Sequence, residues 1–234
     1  MPSGRWIAYV RSMPVETLTL DLPNGEAVSA LWQAPPVPRA VLSLAHGAGA
    51  GMTHRHMNAT ADGLEARGVA TLRFQFPYME KGGKRPDPPP VAHAAVRAAA
   101  AEAARRAGAA PLFAGGRSFG ARMTSQAQAL APLEGVRGLV FFAFPLHPAA
   151  KPGVERADHL AEVAVPMLFL QGTADTLAQL DLLRPVVSNL GERATLILAE
   201  SADHSFHAPA RTGRKDAEVL NDLLDEAAGW IMRV

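Results

Sequence analysis

Six short runs, at residues 40–45, 69–76, 112–115, 136–144, 165–171 and 194–199, all but the second of them apolar almost throughout, alternate with stretches of helical character. A strand that is apolar on both faces has to be covered on both sides. A mainly parallel sheet with helices on each face does this. The intervening residues 53–67, 91–107, 119–130, 177–190 and 213–232 are the predicted helices, the first two stopped by Gly68 and Gly108, where a chain leaves a right-handed helix at least cost. Ahead of this pattern, residues 15–22 and 26–34 alternate apolar and polar side chains around Pro23-Asn24-Gly25, which predicts an antiparallel hairpin at one edge. The expected fold class is therefore α/β: a doubly wound, mainly parallel sheet of about eight strands with an antiparallel N-terminal hairpin. Prolines 88–90 read as a loop, and the alanine-rich run 98–104 as an exposed helix face.

The chain has 234 residues, 48% of them apolar and 19% charged, which is enough to bury one core and outside the range of disordered chains. One domain over residues 1–234 is expected, with 1–12 as a flexible leader. A formal charge of +1 provides no field to recruit nucleic acid or an acidic membrane surface. The absence of cysteine removes disulfides, thiolate nucleophiles and cysteine-rich zinc sites. Residues 1–11 lack the apolar core of a signal peptide and no stretch approaches about 18 apolar residues, so a cytoplasmic protein acting on a small molecule is expected.

The motif with chemical content is Gly116-Arg117-Ser118-Phe119-Gly120. G-x-S-x-G holds a serine on a sharp turn, and it is informative here because a strand is predicted before it and a helix after it. A serine hydroxyl needs a base to take its proton and an acid to orient that base. In chain order after Ser118, Asp175 follows the strand 165–171 in Q-G-T-A-D, and His204 follows the strand 194–199 in A-E-S-A-D-H-S. Rivals are His207, His147 and His159 for the base and Asp203 for the acid, and the alternative role for Asp175 is a turn or helix cap before Leu177.

Acyl chemistry also needs two N–H groups aimed at a developing oxyanion. Phe119, just after the serine, offers one; the loop His46-Gly47-Ala48-Gly49-Ala50-Gly51 offers the other, from Ala48 or its neighbour Gly49. That loop lacks the G-K-[ST] ending of a phosphate cradle. His46, His54 and His56 fall close together, but His54 and His56 stand two apart in a predicted helix and would not share a face, so no metal is expected.

The elbow, Asp175 after Q-G-T and His204 in A-D-H-S resemble the α/β-hydrolase superfamily. More narrowly, H-G-A-G-A, G-G-R-S-F-G-A-R, V-R-G-L-V-F-F-A-F-P-L-H-P, P-M-L-F-L-Q-G-T-A-D and A-D-H-S-F resemble a little-characterised, dienelactone-hydrolase-like branch, over about residues 42–206. That branch includes the testis-expressed hydrolase-like protein and the third subunit of the NSL histone acetyltransferase complex. The resemblance implies the α/β-hydrolase fold and a catalytic set of Ser118, Asp175 and His204.

About twenty residues separate the strands 136–144 and 165–171, too few for a lid domain. The excursion 77–90, with Tyr78 and Met79, is expected to form a pocket wall; Arg117 and His147 are further candidates for substrate contact, and Arg117 with Arg122 could attract an anionic substrate. The expected activity is that of a serine hydrolase on a small or medium ester, thioester or amide, without a cofactor. The alternative is a hydrolase-fold protein that binds without cutting, since a fold alone does not fix a function.

Overall fold

The computed structural model describes residues 14–234, so the leader expected at 1–12 lies outside the described residues. The hairpin forms first. Strands β1 (Glu16–Asp21) and β2 (Ala27–Gln33) pair antiparallel from Glu16 opposite Trp32 to Asp21 opposite Ala27. Their turn is closed by Asn24, whose side chain accepts from the Glu26 N–H at 3.1 Å.

Six further strands follow: β3 (Ala40–Ala45), β4 (Val69–Phe74), β5 (Leu112–Arg117), β6 (Val136–Phe142), β7 (Met167–Gly172) and β8 (Ala194–Ala199). The sheet order is β1-β2-β4-β3-β5-β6-β7-β8, with β2 antiparallel to β4 and every later pairing parallel. The helices are α1 (Arg55–Glu65), a single turn α2 (Pro77–Glu80), α3 (Pro89–Ala107), α4 (Phe119–Leu130), α5 (Leu180–Asn189) and α6 (Asp216–Ile231).

The sheet divides two cores. On one face α3, α4 and α5 bury Val96, Met123 and Leu183 with Phe141 and Phe169; on the other, α1 and α6 bury Leu64, Leu223 and Trp230 with Phe113 and Phe142. Strands β3 to β7 are therefore covered twice, as their largely apolar composition requires.

Two local expectations are corrected. The alanine-rich run is not an exposed face: Ala99 and Ala103 are fully buried and Ala100 nearly so, while Ala101 and Arg105 face solvent. Methyl-sized side chains let α3 lie close against the sheet. Prolines 89 and 90 open α3 instead of extending a loop, which suits residues that lack an N–H in a turn where none would be bonded.

After β3 the chain crosses to β4 on one side, and β5 then returns on the other side of β3. The loops leaving the carboxyl ends of β3 and β5 consequently diverge. The crevice between them is where open α/β sheets bind ligands, and it holds both the 46–51 loop and Ser118.

Candidate active site

Ser118 sits between β5 and α4 with φ 50° and ψ −114°, a conformation rare for a residue with a side chain. Such strain costs on the order of 1–3 kcal/mol and persists only where the surroundings enforce it. Here they do: a Cβ on Gly116 would lie 2.6 Å from the Ala45 carbonyl oxygen, and one on Gly120 would lie 2.6 Å from the carbonyl oxygens of both Ala45 and His46. The elbow is thus pressed onto the end of β3, and glycine at both positions is a steric requirement.

Against the serine stands His204, its Nε2 2.8 Å from Ser118 Oγ and its Nδ1 2.7 Å from Asp175 Oδ2. Since a carboxylate only accepts, Nδ1 carries the proton and Nε2 offers its lone pair to the hydroxyl. The Asp175 side chain is completely buried, and His204 is about a quarter exposed. Asp175 also combines the two roles that sequence left open. Oδ2 serves His204 and accepts from Gln171 Nε2, while Oδ1 accepts from the Leu177 N–H at 2.8 Å and forms the turn.

The rival residues are engaged elsewhere. Asp203 Oδ1 accepts from the N–H groups of Ser205 and His207, shaping the loop that carries His204. His207 pairs with Asp216 at 2.9 Å on the surface, and that carboxylate raises its pKa. His159 bonds Ser125 Oγ at 2.8 Å, with its pKa lowered to about 4 by burial. His147 is buried, with Nδ1 2.9 Å from the Pro148 carbonyl.

Ala48, Ser118 and Phe119 line one cavity of about 1090 Å³. Among the described residues, the N–H groups of Ala48 and Phe119 donate to no acceptor; the Gly49 N–H instead donates to Tyr78 Oη at 3.3 Å. The Ala48 loop is braced from below by the fully buried His46, whose Nε2 accepts from the Phe76 N–H at 3.1 Å. Its Nδ1 must then donate to the Gly47 carbonyl, at 2.8 Å. Burial lowers the His46 pKa to about 4.

The cavity wall differs from the one expected. Tyr78 is buried behind Phe119, ring centroids 6.4 Å apart, and Met79 packs into the core. Neither lines the cavity. Arg117 turns away from it: Nη2 donates to the His204 carbonyl at 2.9 Å and the guanidinium lies 5.2 Å from the Phe206 ring. Burial lowers its pKa, with Asp175 and Asp203 acting against that shift. Arg117 lines a smaller cleft of about 330 Å³ on the other side of Ser118, together with His54, His56, His204 and Ser205. His54 is not inside α1 but caps it, and its ring stacks on His56 at 5.2 Å, so the two do lie side by side.

The larger cavity is walled by Arg85, Asp87, Arg122, Pro145, Arg156 and Leu177. Arg156 belongs to a 3-10 turn, Glu155–Glu162, in the segment between β6 and β7. No sequence signal pointed to it, because its place depends on that turn folding back beside α4.

Solved structures with this fold include an α/β serine hydrolase without a lid from Xanthomonas campestris (23% identity, TM-score 0.71, covering 94% of this chain and 97% of that one). A dienelactone hydrolase from Anabaena variabilis aligns at 18% identity and TM-score 0.76, over 94% and 97% of the two chains. The esterase domain of a Rhodothermus marinus protein aligns at 15% identity and TM-score 0.71, over 94% and 99%. At these identities the likeness is one of fold. The family described as "Alpha/beta hydrolase domain" matches residues 38–232, and with eight strands in this order, the chain belongs to the alpha/beta hydrolase family.

Proposed function

We propose that the protein is a serine hydrolase that transfers the acyl group of a small or medium carboxylic ester to water. The observation that carries this reading is the relay from Ser118 through His204 to the buried Asp175, at 2.8 and 2.7 Å, beside two unused N–H groups. His204 Nε2 takes the hydroxyl proton as Ser118 Oγ attacks the carbonyl carbon. The resulting oxyanion accepts from the N–H groups of Ala48 and Phe119, a contribution of about 3 kcal/mol for each such donor. The imidazolium, held by Asp175, returns its proton to the leaving oxygen as the carbon–oxygen bond breaks. Water then repeats the sequence on the acyl-enzyme and frees Ser118. No step requires a cofactor, and residues 1–234 would act as a single domain.

Turnover of p-nitrophenyl esters of increasing chain length by the wild type and Ser118→Ala is the test. Saturable hydrolysis that falls by several orders of magnitude in the variant supports the reading. Equal rates in both would take the chemistry away from Ser118, and none in either would mark a hydrolase fold that binds without cutting.

A further inference from the structure

Three arginines wall the larger cavity, and their surroundings do not neutralise them. Several arginines of this chain are neutralised by a carboxylate: Arg67, Arg105, Arg106 and Arg214 pair with Asp or Glu at 2.5–2.8 Å. Arg85, Arg122 and Arg156 form no ion pair among the described residues. Among the described residues, the one acid on the same wall is Asp87, whose Oδ2 is already engaged with the Tyr78 N–H at 2.9 Å. The wall therefore carries an excess of two positive charges.

Arg122 is the anchor of the group. It lies one helical turn beyond the nucleophile, its N–H donating to the Ser118 carbonyl at 3.1 Å. Its guanidinium is held 5.9 Å from the Phe119 ring. Its Nε is buried with no hydrogen-bond partner, so the charge loses solvation there that its surroundings do not return. Burial, and then the charge of Arg156, lower its pKa, so the two cations are close enough to feel each other.

The direction of the chemistry says which part of a substrate meets these cations. His204 must protonate the leaving oxygen, so the leaving group lies against His204, in the smaller cleft. The arginine-lined cavity shares Ser118 and Ala48 with that cleft and adds Phe119, but excludes His204, and so receives the acyl chain. Resting on the reading of Ser118 as nucleophile, we infer that the preferred acyl group ends in a carboxylate held between Arg122 and Arg156, making the substrate a half-ester of a short dicarboxylic acid. Arg122 follows Ser118 by four residues in the first turn of α4 and both line the same cavity, which suits a short spacer between scissile carbonyl and carboxylate. Arg85, exposed at the rim, adds attraction on approach.

The experiment compares two esters of equal shape: mono-p-nitrophenyl glutarate and p-nitrophenyl 5-methylhexanoate, in which an isopropyl group replaces the carboxylate. kcat/KM is measured for wild type, Arg122→Gln and Arg156→Gln after subtracting the buffer rate. The expected wild-type preference for glutarate is at least about tenfold, and the preference should fall by about tenfold in a variant, the usual scale of one charge-assisted contact. Arg156 lies on a partly exposed turn, so its variant remains informative if Arg122→Gln fails to fold. A wild-type ratio of one or less, or a ratio moved by neither variant, overturns the inference while hydrolysis of the neutral ester upholds Ser118 as nucleophile. If neither ester is turned over, the nucleophile assignment fails and the inference falls with it.

Discussion

Replacing Asp175 by asparagine tests the relay at the point where its geometry leaves least freedom. All three contacts of the carboxylate are donors: His204 Nδ1 and Gln171 Nε2 to Oδ2, and the Leu177 N–H to Oδ1. An amide can accept on only one side. Turning its nitrogen toward Leu177 would set two donors face to face against a backbone that cannot invert. Turning it toward Gln171 and His204 is easier, because Gln171 Oε1 is buried without a partner and a flip of that side chain supplies an acceptor. His204 must then shift its proton to Nε2, where it points at Ser118 and can no longer accept. The expected loss in kcat is about 10⁴, or about 5.5 kcal/mol of barrier, the size seen when a triad histidine is held in the wrong tautomer. Stability should suffer little, with a fall in Tm below about 5 °C. Asp203→Asn is the matched control, since both its contacts fall on one oxygen that asparagine retains, and its kcat should stay within about threefold. The assay is steady-state hydrolysis of p-nitrophenyl butyrate with calorimetry on the same samples. Activity in Asp175→Asn within about tenfold of wild type, or equal damage from Asp203→Asn, would refute the reasoning.

Gly120→Ala should fail to accumulate as folded protein or lose more than about 3 kcal/mol in urea denaturation, because the added carbon meets two backbone carbonyl oxygens at 2.6 Å. Arg117→Ala should lower kcat about tenfold with little change in KM, and Arg117→Lys, which can still donate to the His204 carbonyl, should recover most of it. Acid should destabilise the fold through His46. Its folded pKa of about 4 lies below the ordinary 6.5, so the unfolded chain takes up the proton first and stability present above 6.5 is lost as pH falls toward 4. That site alone contributes a loss of about 2 kcal/mol by pH 5, with His159 acting in the same direction, and urea midpoints across this range should decline accordingly.

Ser118, Asp175 and His204 were legible because each follows a strand end in chain order, and a parallel sheet brings all its strand ends to one edge. The predicted limits of β3, α4 and β8 match the structure residue for residue, since a glycine-marked turn or a mostly apolar run marks them. What sequence could not supply is side-chain direction. Arg117 adjoins Ser118 yet turns behind it, and Tyr78 lies in the expected wall segment yet packs behind Phe119. Arg156 reaches the cavity from a turn without motif or periodicity. The alanine run of α3 misled for a related reason, as alanine lacks the polarity contrast that separates a buried helix face from an exposed one. His54 and His56 were judged by helical spacing, which fails where one of them is the cap.

The most direct measurement is intact-mass analysis after exposure to a fluorophosphonate, with the modified residue mapped by peptide sequencing. One adduct per chain at Ser118, absent in Ser118→Ala and strongly slowed in His204→Gln, is the expected result. An unmodified wild type, or an adduct on any other residue, would contradict the assignment of Ser118 as an activated nucleophile.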